Sequence, residues 1–409
     1  MTQPEPVGAD ELEAFERAVR HAFHEDGHPD DVAHFPRTLE PERTLAIRDG
    51  GEIVAAAAVL SRTMTVPGGA QLPVAAVSAV GVAPGQTRRG HLGRLMRRQL
   101  DDVRAAGREP IAALWASEGG IYGRYGYGLA TRAATYGLQT ATAALRHDVT
   151  LPAERPRVLP AAEAVPRMAP VYDAARPLVP GLLARDDAWW EHRVFDPEHR
   201  RDGFSPLRAA VQPGPDGEPA GYALYAARTK WGEHGPAGEA HVRELMATTS
   251  EARAGLWAFL LSLDLVRSVR WRLAGDDDPL PHLLADSDPL VQTVGHGLFV
   301  RLVDVDRALA ARGYSAPLSV VLEVDDAFCP WNAGRHRLRS DGETASCAPT
   351  TEPADLVLSA EALGAAYLGG TRLEALAGAG RVREPRPGAL RETARAFGGF
   401  PEPWCPEIF

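Results

Sequence analysis

The stretch Val77–Tyr127, VSAVGVAPGQTRRGHLGRLMRRQLDDVRAAGREPIAALWASEGGIYGRYGY, reads without interruption as strand, loop, helix, strand and a short tyrosine-bearing segment. Val80 and Val82 alternate with small residues and Pro84 ends the run, the pattern of a half-buried strand. Beyond the loop that holds Gly85 and Gly90, Leu92, Leu95, Met96, Leu100 and Val103 recur at helical spacing, one apolar stripe that Gly107 can close. The helix therefore starts at Arg88-Arg89-Gly90. A helix N-terminus entered through a glycine loop presents unpaired backbone N–H groups and the positive end of the helix dipole, and flanking arginines strengthen its preference for phosphate. A phosphate compound is the expected ligand.

Gly85 to Gly90 has the glycine spacing of a nucleotide P-loop, but His91 and Leu92 stand where that motif needs Lys and Ser/Thr. No G-x-G-x-x-G opens the helix, so a dinucleotide fingerprint is absent too. What remains is a strand, an Arg-rich turn into a helix, and a second strand, Ile111 to Trp115, leading to tyrosines. This resembles the GNAT acyltransferases, and within them the enhanced intracellular survival (Eis) acetyltransferases. AVGVAPGQTRRGHL and ASEGGIYGRYGYG (Ala116 to Gly128) carry the likeness. Thr87 stands where the family's turn usually has Arg or Gln, and Leu92 replaces a small residue. The resemblance implies acetyl-CoA as co-substrate, with its pyrophosphate on Arg88, Arg89 and Gly90.

At 409 residues the chain is too long for one ordinary domain. A hydrophobic content of 45% and a charged content of 24% are those of a soluble globular protein. The net charge of −10, with arginines scattered among acids, argues against a nucleic-acid binder. MTQPEPVGADELEAF has acids and no apolar core, neither a signal peptide nor a membrane span, so a cytoplasmic location is expected and no membrane partner. Cys329, Cys347 and Cys405 are too widely spaced for a disulfide scaffold or a zinc site.

Leu12, Phe15, Val19 and Phe23 mark a helix that runs into HEDGHPDD. The H-E-x-x-H within it is not a zinc motif, because Gly27 and Pro29 stop the helix at the second histidine, and no metal is expected. Glu25 and Asp26 are either a solvated helix end or an attractor for a cationic amine. In the resemblance an acidic residue here contacts the acceptor, and Phe23 matches an aromatic beside it. Thr44 to Asp49 and Ile53 to Arg62 read as strands joined at Asp49-Gly50-Gly51, a hairpin. A Pro-rich shift near His147 opens a second unit, in which the strands Gly221 to Arg228 and Val242 to Ala247 and a helix from Thr249 to Val266 repeat the order of the first. Its turn, TTSEARAG, has Glu251 where a phosphate would sit, so the cofactor site is expected to be lost there. Trp189 and Trp190 either wall the acceptor pocket or are core aromatics. A third unit opens at the strand Phe299 to Val303, and FCPWNAGRHRL and VLSAEALGAAYLGG resemble the sterol-carrier-protein-like domain that ends Eis proteins. The expectation is a mixed α+β chain of two tandem GNAT-like domains, 1–146 and 147–290, and a sterol-carrier-like domain, 291–409.

Acetyl transfer to an amine needs an oriented thioester, a polarised carbonyl, a neutral amine and a proton for the thiolate. The resemblance places Val80, Gly81 and Val82 along the cofactor. It puts Ser78 and Ala79 at a strand bulge whose backbone N–H meets the thioester carbonyl, with Ser78 assigned to the acceptor. Tyr122 matches the general acid, oriented by the Ser117 carbonyl, and Tyr125 and Tyr127 are its rivals. The terminal carboxylate of Phe409, at the end of WCPEIF, matches a group that receives the amine and its proton. The reading is an acetyl-CoA-dependent N-acetyltransferase of cationic amines, aminoglycoside-like or lysine-like. The resemblance further implies a homo-oligomer, a hexamer. The alternative is an apolar-ligand-binding protein with a vestigial CoA site.

Overall fold

Strands Thr44–Asp49 and Glu52–Thr65 pair through Gly50 and Gly51, at φ 60° and 90°, the positive values that a tight hairpin needs. The structure, a computed structural model, describes residues 3–409. They form two units. One runs to Thr131 and takes in Gly297–Pro403 and Glu407–Phe409, and the other holds Arg132–His296 and Trp404–Pro406.

In the first unit the hairpin belongs to a seven-stranded sheet in the order Glu5–Pro6, Thr44–Asp49, Glu52–Thr65, Gln71–Val82, Ile111–Trp115, Leu298–Leu302 and Gly128–Leu129. Helix Leu12–Phe23 covers one face, where Phe15 and Val19 pack with Ala56 and Ala58. Helix His91–Ala106 covers the other, with Met96, Leu100 and Val103 against Val59, Ala75, Val77 and Leu114. This is the stripe legible in the sequence, bounded by Gly90 and Gly107.

Sheet membership departs from a consecutive division of the chain at two strands. Leu298–Leu302, expected to open the third unit, pairs on one side with Ile111–Trp115 and on the other with Gly128–Leu129. Arg132–Gln139 in turn pairs within the second unit, between Val266–Ala274 and Val291–His296. An apolar run specifies a buried strand but not its neighbour, so the exchange left no local mark.

The rest of the first unit is a five-stranded sheet in the order Ala345–Pro349, Gly334–Ser340, Leu318–Asp325, Leu356–Ser359 and Val382–Arg383. Arg301 joins it to the first sheet. Fully buried in strand Leu298–Leu302, it donates to Asp326 and to the Tyr125 carbonyl. Gly126, at φ 83°, lies so close that a Cβ there would fall 1.6 Å from the Arg301 Nη1. The Tyr-Gly-Arg-Tyr-Gly-Tyr string is thus partly a docking surface for a buried guanidinium.

The second unit has its own seven-stranded sheet, ordered Val291–His296, Arg132–Gln139, Val266–Ala274, Gly238–Ala247, Pro219–Arg228, Arg208–Pro213 and Arg157–Pro160. Its helix ends at Leu261, five residues short of the expected Val266, which instead opens a strand after Leu265 at φ 63°. Trp190 is a core aromatic, edge-on to Tyr172 at 5.7 Å and buried in the sheet's cluster. No helix among the described residues is long and apolar enough to cross a membrane.

Candidate active site

The site begins where a parallel ladder stops. Gln71–Val82 and Ile111–Trp115 are paired at Val74/Ile111, Ala75/Ala112 and Ala76/Ala113 and no further, although both strands run on. From Val77 onward the strands part, and the backbone of Val80, Gly81 and Val82 is left without a ladder partner on that edge, open to an extended ligand. On the other edge Ala58 faces Ser78 and Ala56 faces Gly81, so that Ala79 and Val80 oppose Ala57 alone. This is a bulge. Ala79 takes φ 52°, a left-handed value that a residue with a Cβ adopts only when its surroundings impose it.

The strand leads into a turn whose Thr87 hydroxyl donates to the Pro84 carbonyl at 3.3 Å. Arg88 (φ 61°) and Gly90 (φ 78°) bend the chain into helix His91–Ala106. Gly90 caps that helix without a side chain, so its first N–H groups have no side-chain acceptor. Arg88 and Arg89 are exposed. Arg89 donates to Gln86 at 3.0 Å, while Arg88 makes no ion pair among the described residues. His91 is held neutral, its pKa lowered first by burial and then by Arg94 and Arg89. The fit to a phosphate rests on free N–H donors and two exposed guanidiniums, with Asp49, which accepts from the Gln86 amide at 3.3 Å, as an anion beside the turn.

Tyr122 follows the second strand and is buried, 6% exposed. Its carbonyl accepts from the N–H groups of Tyr125 and Tyr127 at 3.0 and 3.3 Å, fixing the segment. Burial, then the neighbouring Tyr125, pushes its hydroxyl pKa up to about 12, so it stays protonated. That hydroxyl makes no hydrogen bond among the described residues, and Ser117, which is exposed, does not supply its carbonyl to it as expected from the sequence. Behind Tyr122 lies Tyr127, ring centroids 6.2 Å apart, with its hydroxyl sealed from solvent and without a hydrogen-bond partner among the described residues. Tyr125 packs edge-on to Phe328 at 5.0 Å.

Helix Leu12–Phe23 brings the acidic segment to the same strand. A Cβ on Gly81 would stand 2.7 Å from that of Ala22 and 3.9 Å from the Phe23 ring, so glycine permits the close approach. The helix ends at His24, φ 58°, which removes His28 from its face. Glu25 and Asp26 are both exposed. Glu25 pairs with Arg20 at 3.6 Å, and Asp26 makes no ion pair among the described residues.

The end of the chain reaches this face too. Glu407 accepts from Arg62 Nη2 at 2.9 Å, both nearly excluded from solvent. Side chains alternate along strand Glu52–Thr65, so Arg62 shares the face of Ala56 and Ala58, and Ser78, opposite Ala58, shares it as well. Phe409 is half-buried two residues beyond Glu407. Reading the sequence for chemistry passed over Arg20, Arg62, Arg301, Asp326 and Glu407. Two of them had a signal: Arg62 ends an apolar run, IVAAAAVLSR, and Arg301 interrupts another, LFVRLV.

Residues 3–130 match the acetyltransferase (GNAT) domain, residues 181–302 a second domain of that description, and residues 305–406 the sterol carrier protein domain. An uncharacterized N-acetyltransferase of Streptomyces avermitilis is 44% identical over 370 residues, 90% of each chain. The N-acetyltransferase Eis of Mycobacterium tuberculosis is 35% identical over 378 residues, 88% of each chain. The crystal structure of Eis1 from Mycobacterium abscessus superposes with a TM-score of 0.85 at 33% identity, covering 100% of both chains.

Proposed function

Because this chain belongs to the Eis family of GNAT N-acetyltransferases, we propose that its parted strands take acetyl-CoA and pass the acetyl group to a primary amine of a cationic acceptor, aminoglycoside-like or lysine-like. The binding-protein alternative falls with the family, whose members are acyltransferases. One observation carries the cofactor assignment: the ladder ends at Ala76/Ala113 beside a bulge at Ala79, and the same strand leads into a helix N-terminus left open by Gly90.

In this reading the N–H groups of the turn and helix, with Arg88 and Arg89, hold the pyrophosphate. Val80, Gly81 and Val82 pair by backbone with the extended arm, and the bulge directs an N–H at the thioester carbonyl. Ser78, Phe23 and the acids Glu25 and Asp26 face the acceptor. The amine nitrogen bonds the acyl carbon as the C–S bond breaks. Tyr122, kept protonated by burial, donates to the sulfur as charge develops there. Ser117 is retained only as a neighbour of the cofactor, since Tyr122 does not bond to it. The α-carboxylate of Phe409 orients the ammonium and takes its proton, and Arg62 and Glu407 anchor the segment that bears it. The assembly is a cytoplasmic homo-oligomer, a hexamer, which light scattering tests.

The deciding experiment is thiol release from acetyl-CoA across a panel of amines. Amine-dependent release with stoichiometric acetylated product is expected. Acetyl-CoA binding without release on any amine would refute the transferase reading.

A further inference from the structure

Three side chains that no step of the transfer uses converge at the five-stranded sheet of the first unit. Asp306 sits in the first turn of helix Val305–Ala311, which packs on strand Ala345–Pro349. His336 lies in strand Gly334–Ser340, and Cys347 lies in its antiparallel neighbour, opposite Leu338. His336 and Leu338 share a side of their strand, so His336 and Cys347 are diagonal neighbours on one face of the sheet, and the helix lays Asp306 over that face. Asp306 Oδ1 is 2.7 Å from His336 Nδ1 and 3.4 Å from Cys347 Sγ, and ligand atoms of all three lie within 4.8 Å of one another. The spacing that spoke against zinc in the sequence was that of cysteines from one another. Folding instead brings one cysteine to a histidine and a carboxylate that are distant from it in the chain.

The second ring nitrogen decides the chemistry. His336 Nε2 meets the Asn332 carbonyl at 3.0 Å, and a carbonyl only accepts, so the hydrogen-bond network assigns a proton to Nε2. Asn332 is itself fixed, since its amide donates to the Leu302 carbonyl at 3.1 Å and its Oδ1 accepts from the Val305 N–H at 3.3 Å. Metal-binding histidines are oriented by this kind of outer contact. In a neutral ring Nδ1 then aims a lone pair at the Asp306 carboxylate, a contact that only a shared cation makes favourable, either a proton or a metal ion. With protons the cluster is imidazolium, carboxylate and thiol, and its net charge is zero. A divalent ion with neutral imidazole, carboxylate and thiolate has the same charge, so the ion displaces the Nδ1 and thiol protons to solvent. Asp304, the carboxylate two residues before Asp306, is already paired with Arg104. Without metal, burial and then Asp306 push the Cys347 thiol up, which excludes a reactive thiolate, and His336 and Asp306 titrate as an ordinary pair.

We propose that Asp306, His336 and Cys347 bind a zinc ion, with water as the fourth ligand, and that the ion clips helix Val305–Ala311 to the two strands beneath it. Thiolate with imidazole and carboxylate suits a borderline-soft ion, whereas magnesium and calcium take oxygen ligands. Tetrahedral zinc sets its ligand atoms about 3.3–3.6 Å apart, so the His336 contact opens by about 0.6 Å and the Cys347 contact barely moves. Asp306 and Cys347 are half-buried, which leaves a side for the water.

The test uses the reduced, chelator-stripped full-length chain, titrated with zinc by calorimetry and, separately, with cobalt(II) followed by absorption. One equivalent of zinc should bind with release of protons and raise the melting temperature. Cobalt should give a thiolate-to-metal charge-transfer band, a readout on the wild-type chain that does not depend on any variant folding. Cys347→Ser and Asp306→Asn should each weaken zinc binding by about a hundredfold or more, and Cys347→Ser should abolish the cobalt band. Absence of zinc uptake, a cobalt spectrum without the thiolate band, or unchanged affinity in Cys347→Ser would overturn the site.

Discussion

The two seven-stranded sheets of this chain part in the same way and are used in opposite ways. In the first, pairing of the central parallel strands ends at Ala76/Ala113, and what lies beyond is backbone without a ladder partner. In the second, Gly238–Ala247 and Val266–Ala274 pair from Gly238/Val266 to Val242/Trp271 and then separate. There the chain supplies its own filling. Trp404 donates its indole N–H to the Leu273 carbonyl at 2.7 Å and stands edge-on to Trp271 at 6.1 Å. Glu244, just past the last pair, is saturated by Arg185 at 2.6 and 2.9 Å, Arg193 at 3.0 Å and the Tyr222 hydroxyl at 2.5 Å. Burial alone would raise its pKa, but Arg185 and Arg193 hold the carboxyl down at about 2. The helix termini differ likewise. Thr249 accepts from the Ala252 N–H at 3.1 Å and Glu251 occupies the first turn, whereas Gly90 leaves the first helix open between arginines. A parted sheet becomes a site only where the polar groups it frees are not already satisfied from within.

The largest effect expected of the open side is at the chain end. A one-residue extension past Phe409 moves the carboxylate by about 3.5 Å and should take amine acetylation to background, with acetyl-CoA still bound. Full activity in a C-terminally tagged protein would sink that role. On the filled side, Trp404→Ala should cost about 3–5 kcal/mol of stability, read by denaturant unfolding of the second unit, because a buried indole and its hydrogen bond are both lost. A change below about 1 kcal/mol would mean that the cleft does not need its filling.

Tyr122→Phe keeps the ring and removes the proton, so turnover should fall about 10²-fold at unchanged acetyl-CoA affinity. If the rate holds, Tyr125 or water is the donor. Arg88→Ala with Arg89→Ala should raise the acetyl-CoA dissociation constant by about tenfold or more, measured by calorimetry, while Glu251→Ala on the closed terminus leaves it alone. Equal constants for the two variants would put the cofactor elsewhere.

The smallest effect is in the five-stranded sheet of the first unit. His336 Nδ1 meets Asp306 at 2.7 Å and Nε2 meets the Asn332 carbonyl at 3.0 Å. Burial opposes the charged ring, but these acceptors raise its pKa above the usual 6.5, and the Asp306 carboxyl, despite burial, lies below its usual 3.8. The histidine's contribution is therefore complete below 6.5 and lost as pH rises through the raised value. That of Asp306 is present above 3.8 and lost as pH falls through the lowered one. Stability from the pair should be greatest between those limits, and His336→Gln should flatten the profile on its alkaline side, as seen in melting temperature against pH. An unchanged profile would show that the pair is not ionised.

What the sequence determined by itself was local. Leu95, Met96, Leu100 and Val103 declared a helix, Gly50 and Gly51 a hairpin, and Arg88-Arg89-Gly90 the turn into a helix N-terminus, because side-chain period and backbone freedom are properties of neighbouring residues. TTSEARAG likewise announced a closed terminus. Only the tertiary structure decided that Leu298–Leu302 completes the first sheet, that Trp404 fills the second cleft, and that Glu25 and Glu407 each lie against a guanidinium. An apolar period shows that a face is buried but not what buries it. A carboxylate looks equally free in sequence whether its guanidinium is absent or, as for Glu407, lies 345 residues away.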